Sequence, residues 1–158
     1  MIVVLANIRS AHNVGSIFRT ADAASCTKIY LCGITPAPVD RFGRAQSEIA
    51  KVALGAENWI PWESAPSCTR LLTRLKKEGH TILALEQSKD SIPYTKVRIS
   101  TKEWSKTVLV LGSEVSGLPR PILKKADTII EIPMHGKKES LNVAVAFGVV
   151  IFSLRKGR

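Results

Sequence analysis

Short apolar runs alternate with amphipathic stretches along the whole chain. Residues 2–5 (IVVL) are continuously apolar, the pattern of a strand covered on both faces. The spacing then changes. Val14, Ile17, Phe18, Ala21 and Ala24 recur at helical intervals, which predicts a helix over residues 14–25 with Asn13 as its N-cap. Residues 29–32 form a second strand ended by Gly33. Residues 35–45 (TPAPVDRFGRA) are Pro-rich and basic, and read as a mobile, ligand-facing loop. A short helix over residues 47–54 is closed by Gly55, and residues 59–62 are a brief apolar segment broken by Pro61.

The second half repeats the alternation. Leu71, Leu72 and Leu75 give residues 67–78 a core face, Lys76 and Lys77 suit the last turn, and Gly79 ends the helix. Residues 81–85, 108–111 and 128–132 are strands, with a short helix near residues 119–125. Residues 88–105 are polar and irregular. Residues 142–155 form a last helix that is apolar nearly all round, a breadth that predicts burial between the sheet and another partner, such as a second subunit. Residues 155–158 read as a frayed basic tail. Strands alternating with helices imply an α/β fold with a largely parallel sheet and helices on both faces, in a single domain.

Charge narrows the picture. Lys and Arg number 23 against 13 Asp and Glu, a net +10, which favours a polyanionic partner, most often nucleic acid. Cys26, Cys32 and Cys68 form no C-x-x-C pair, and His12, His80 and His135 lie far apart, so neither a disulfide framework nor a metal site is expected. The longest uncharged stretch, residues 140–154, falls short of the roughly 18 residues of a membrane span. The first residues lack the basic region of a signal peptide, and the expected location is cytoplasmic. No dinucleotide fingerprint, P-loop or nucleophile elbow occurs.

Two constellations carry the candidate chemistry. One is Asn13 to Thr20 (NVGSIFRT), where Asn13 and Arg19 read alone as a cap and a solvated arginine, or together as an arginine aimed at a phosphate. The other is a pair of loops that each follow a strand. Gly112 and Glu114 stand in the first, with glycine suited to close approach of a ligand, and Ser140 and Asn142 in the second. Each polar residue has a capping role available. Two such loops ending two strands read as one pocket.

Asn13-x-Gly15-x-x-x-Arg19-Thr20, Gly112-Ser113-Glu114-x-x-Gly117-Leu118, and Ile132-Pro133-Met134-x-Gly136 followed by Ser140-Leu141-Asn142-Val143 resemble the three motifs of the SpoU (TrmH-like) branch of SPOUT RNA methyltransferases. The match is collinear from Val4 to Leu154. The resemblance implies a C-terminal trefoil knot, S-adenosylmethionine as cofactor, a homodimer with the site near its interface, and methyl transfer to a ribose 2′-hydroxyl of tRNA or rRNA. It implies that Leu85, Gly112, Ile132, Met134, Ser140 and Leu141 hold the cofactor. Arg19, Asn13, Glu114, Ser140 and Asn142 would shape the catalytic site, with Arg19 as base or as a stabiliser of phosphate or alkoxide charge, and with Glu114 taking a proton or orienting Arg19. Lys137 and Lys138 beside the cofactor loop form either a solvated turn or an RNA contact. The alternatives are a non-catalytic RNA-binding module on the same fold and a base-directed RNA methyltransferase.

Overall fold

A computed structural model describes residues 1–155. Strands β1 (Ile2–Ala6), β2 (Lys28–Cys32), β3 (Trp62–Ala65), β4 (Thr81–Leu85), β5 (Ile92–Pro93), β6 (Thr107–Leu111) and β7 (Thr128–Glu131) form one sheet in the order β3-β2-β1-β6-β4-β7-β5. Every pairing is parallel. The helices are α1 (Ala11–Ala23), α2 (Ser47–Ala53), α3 (Ala56–Trp59), α4 (Cys68–Lys77), α5 (Thr101–Trp104), α6 (Arg120–Leu123) and α7 (Val143–Leu154). The expected α/β layering is present.

Period-two side-chain alternation sorts each central strand into two cores. Val3, Leu5, Leu109 and Leu111 face α1 and α7, where Ile17, Phe18, Phe147 and Ile151 pack on them. Ile2, Val4, Val108 and Val110 face the other way, toward Leu71, Leu72, Leu75 and Ile122 of α4 and α6. β1 and β6 are therefore buried along their whole length, as their unbroken apolar runs require. Burying the three leucines of α4 stabilises the fold by about 5–9 kcal/mol before conformational entropy is set against it.

Several boundaries differ from the sequence reading. α1 begins at Ala11, and its cap is Ser10, whose Oγ accepts from Asn13 N at 3.2 Å. Asn13 lies inside the first turn, which frees its side chain for the site. The segment around Pro61 contains a strand. β3 pairs with β2 at the sheet edge, where a proline's missing N–H costs no ladder bond, and Pro61 still supplies its carbonyl to Ile29 N at 2.9 Å. The irregular stretch 88–105 holds β5, a 3₁₀ turn at Tyr94–Lys96, and α5 with a Ser100–Glu103 capping box. These elements are too short to show a period. Arg155 is not frayed: it donates to the Ala24 carbonyl and lies 5.2 Å from the Trp104 ring centre. The rest of the expected tail, residues 156–158, lies outside the described residues.

The crossovers set the site. β6 sits between β1 and β4, and β7 between β4 and β5, so the loops after β4, β6 and β7 open at one end of the sheet beside the start of α1. No helix among the described residues is long and apolar enough to cross a membrane.

Candidate active site

The three loops border a cavity of about 330 Å³ that opens to solvent. Leu85, Gly112, Ile132, Met134, Ser140 and Leu141 all line it, together with Glu86, Glu114 and Glu131. Its volume falls within the range of small-molecule sites. Leu85, Leu111, Ile132, Met134 and Val143 supply apolar lining, and Glu86, Glu114 and Glu131 make the cavity acidic.

Glu86 braces the loop after β6. It accepts from Leu118 N at 2.6 Å and from Gln87 N at 3.0 Å. The chain passes it at Gly117, whose φ of 62° suits glycine and where a β-carbon would meet Glu86 Oε2. Gly112 serves the same fold-back: a β-carbon there would stand 2.6 Å from the Gly117 carbonyl carbon and 2.7 Å from Leu118 N. The missing side chain of Gly112 thus admits its own loop, and Gly112 also lines the cavity. Gln87 Nε2 donates to the Glu139 carbonyl at 2.7 Å and ties the loop after β7 to the end of β4.

A chain of hydrogen bonds joins the three motifs. Asn142 caps α7, its Oδ1 accepting from Ala144 N at 2.9 Å and Val145 N at 3.3 Å. Those backbone donors fix the orientation of the amide, so Asn142 Nδ2 donates to Asn13 Oδ1 at 3.0 Å. Asn13 Nδ2 must then donate to Glu114 Oε1, at 2.9 Å. Glu114 also accepts from Arg9 N at 3.1 Å and Ser10 N at 3.4 Å, at the N-terminus of α1. Burial opposes ionisation of Glu114, but the donors from Asn13, Arg9 and Ser10 outweigh it and hold the carboxyl below its ordinary value. No helix starts at Glu114, and it serves the N-terminus of α1 across the fold instead.

Asn13, Glu114 and Asn142 are therefore brought together, and Ser140 lines the cavity without joining their chain. Arg19 stands apart. It is exposed on α1 and lines a second, open cleft with Arg9, Ser10, His12, Pro36, Gln46, Glu48 and Lys51. No side-chain hydrogen bond or ion pair joins it to another described residue, so the pairing with Glu114 that sequence reasoning considered is not formed. Ser10 belongs to the cleft and Glu114 to the cavity, so the two hollows meet at the Ser10–Glu114 contact. Gly15 allows the cleft wall to form, since a β-carbon there would come 2.7 Å from the Ile49 carbonyl of α2.

Sequence reasoning missed Glu86, Gln87 and Glu131. Glu86 and Gln87 follow directly on a buried strand, a position that could have marked them. Glu131 is half-buried, lines the cavity, and makes no side-chain hydrogen bond to a described residue. Among the described residues, no cluster of three or more His, Cys, Asp or Glu has metal-ligand geometry.

A sequence profile of the SpoU rRNA Methylase family matches residues 1–152. The chain belongs to that family. Its relatives include the tRNA (guanosine(18)-2′-O)-methyltransferase of Aquifex aeolicus, 31% identical over all of this chain and 70% of that protein. The 23S rRNA (guanosine-2′-O-)-methyltransferase RlmB of Ralstonia nicotianae is 32% identical over all of this chain and 59% of its own length. This SpoU chain thus spans about three fifths of its RlmB relatives. Among solved structures, the AdoMet-bound rRNA methyltransferase of Sinorhizobium meliloti superposes with a TM-score of 0.83 at 29% identity, over 98% of this chain and 55% of that one. The A. aeolicus TrmH/SpoU tRNA modifying enzyme gives 0.81 at 29% identity, over 97% and 72%.

Proposed function

We propose that this chain transfers a methyl group from S-adenosylmethionine to a ribose 2′-hydroxyl of tRNA or rRNA. The observation that carries the reading is the Asn142–Asn13–Glu114 hydrogen-bond chain, which ties the three family motifs together where the cavity meets the arginine cleft. One hollow is acidic and part apolar, the other basic. That division suits a cationic small molecule on one side and a polyanion on the other.

The cavity fits the cofactor on chemical grounds. S-adenosylmethionine supplies an electrophilic methyl on a sulfonium and carries net positive charge. Leu85, Ile132, Met134 and Leu141 offer apolar walls, Gly112 and Ser140 the backbone rim, and Glu131 a free carboxylate for a cation. The knotted threading of the C-terminal third belongs to this same reading.

Glu114 acts as a brace rather than a base in this mechanism. Both its oxygens already accept hydrogen bonds and its carboxyl is held ionised, so it has little affinity for a further proton. Asn13 and Asn142 fix the start of α1 against the start of α7. Arg19 is free to contact the RNA, where its guanidinium stabilises a phosphate or the alkoxide that develops as the 2′-hydroxyl gives its proton to water. A second copy of the chain covers the exposed stripe Val145, Val149 and Phe152 on α7 and completes a homodimer. Residues 1–155 act in the cytoplasm as a single methyltransferase domain, without a metal.

The test is incubation of the purified protein with S-adenosylmethionine and unmodified tRNA and rRNA, followed by nuclease digestion and mass spectrometry. A 2′-O-methylnucleoside is expected. A methylated base, or no methylation with RNA still bound, refutes the reading in favour of a base-directed enzyme or a binding module. Arg19→Ala should lower turnover by at least about 100-fold and leave S-adenosylhomocysteine affinity within about threefold.

A further inference from the structure

The loop after β2 carries a side chain that neither hollow uses. Phe42 is 67% exposed at its tip. The guanidinium carbons of Arg41 and Arg44 stand 4.7 and 5.1 Å from the ring centre. An aromatic ring this open in water, flanked by two cations, has no role in the core.

The loop is nonetheless built to hold its shape. Val39 and Ala45 form an antiparallel bridge, and Asp40 N donates to the Arg44 carbonyl at 2.9 Å. Asp40 Oδ1 accepts from Phe42 N at 2.8 Å and Arg44 N at 3.0 Å, while Arg44 Nε donates to Asp40 Oδ2 at 2.7 Å. At its base, Gln46 N donates to the Pro38 carbonyl at 2.8 Å. Buried Thr35 accepts from Ile8 N at 3.1 Å, and its hydroxyl lies 2.8 Å from the Cys32 carbonyl. Pro36 and Gln46, which flank the hairpin, line the same cleft as Arg19, Arg9 and Lys51. The hairpin thus stands on the rim of the basic cleft.

We propose that residues 39–45 form a base-stacking finger for the RNA substrate. The Phe42 ring takes an unpaired nucleobase, and Arg41 meets a neighbouring phosphate. This rests on the RNA-methyltransferase reading above. Single-stranded RNA is bound by aromatic faces for its bases and cations for its backbone, and both are present here on one pre-ordered turn. Order in the free protein lowers the entropy lost on binding. Arg44 is already paired with Asp40 and serves the turn, whereas Arg41 has no ion-pair partner among the described residues. A finger beside the Arg19 cleft would hold one nucleotide while a neighbouring ribose reaches the cavity.

The probe is a short single-stranded RNA containing 2-aminopurine, titrated into the full chain, with tRNA and rRNA transcripts in the methyl-transfer assay. The parent protein and Phe42→Trp should quench the fluorophore. Phe42→Ala should weaken binding about tenfold, with the loss appearing in KM for RNA and S-adenosylhomocysteine affinity unmoved. Arg41→Gln should reduce the slope of log K against log salt by about 0.7. The finger is overturned if the parent does not quench, if Phe42→Ala binds RNA as the parent does, or if Phe42→Leu restores full affinity without stacking. It is also overturned if Phe42→Ala changes only the oligomeric state, which would mark a protein contact. RNA binding that depends on Phe42 without any methyl transfer would strike the enzymatic reading and leave the finger standing.

Discussion

Asn13→Asp exchanges one donor group for an acceptor at the middle of the chain that ties the site together. In the parent, Asn13 Nδ2 donates to Glu114 Oε1 at 2.9 Å and Oδ1 accepts from Asn142 at 3.0 Å. The substitution keeps the second bond and turns the first into two carboxylate oxygens face to face. Unit charges at that spacing repel by about 6 kcal/mol at an effective dielectric of 20 and about 1.4 kcal/mol in bulk water. Asn13 is buried at 7% exposure but Glu114 is exposed, so the pair lies between those limits. Allowing the carboxylates to turn apart, and adding the lost charge-assisted bond, gives about 3 kcal/mol. For a chain of this length that is roughly a 6–12 °C fall in Tm at pH 8. The penalty depends on pH with a definite sign. Two adjacent carboxylates share a proton, which raises one native pKa above its unfolded value. Protonation relieves the repulsion at low pH, and the relief is lost as pH rises through the raised pKa. In the parent, Glu114 is depressed, so its own contribution is lost only at more acidic pH. Thermal unfolding followed by circular dichroism from pH 4.5 to 8 should therefore show the gap between parent and variant widening with pH. Asn13→Ala removes a donor without adding a charge, so its gap should stay level at neutral and alkaline pH and narrow only at the acid end of the range, as Glu114 titrates. A pH-independent gap for Asn13→Asp would refute the hydrogen-bond assignment.

Gly117→Ala places a side chain in a left-handed backbone conformation and against Glu86, so calorimetry should show a loss of about 1–3 kcal/mol in stability and weaker S-adenosylhomocysteine binding. Binding unchanged from the parent would separate that loop from the cofactor site. Val149→Glu with Phe152→Glu puts charge on the exposed stripe of α7; on the proposed homodimer, light scattering should report a dimer for the parent and a monomer for the variant, and a monomeric parent would refute the dimer. Burial pushes the Cys26 thiol up to about 12, so at pH 7.5 iodoacetamide should label it only after denaturation, as read by mass spectrometry.

Much of the architecture was legible in the residues. The strands 2–5, 29–32, 81–85 and 108–111 each lie within one residue of the observed bounds, because continuous apolar runs have few alternatives to burial in a parallel sheet. Leu71, Leu72 and Leu75 marked α4 for the same reason. The six residues assigned to the cofactor lie around one cavity because the motifs sit at strand ends, where an open α/β sheet gathers its loops. Short elements escaped. β3, β5 and α5 are two to four residues long, less than the window in which a period shows.

Other features were set by distance in space. Sequence spacing placed Asn13 at a helix cap, but Ser10 captures that role, and the freed amide spans from Glu114 to Asn142 across sequence separations of 101 and 129 residues. Glu86 and Gln87 stand at a strand end that the sequence shows, but their partners Leu118 and Glu139 were decided only when the fold brought them to the end of β4. The run of residues by itself determined which segments are apolar enough to be strands, which end in polar loops, and that the surface is cationic. Only the tertiary structure decided that one hollow is acidic and the other basic, and that Arg19 faces the second. Hydrophobic patterning is local and repeats along the chain, whereas a hydrogen-bond partner is specified by whichever loops the sheet order makes neighbours.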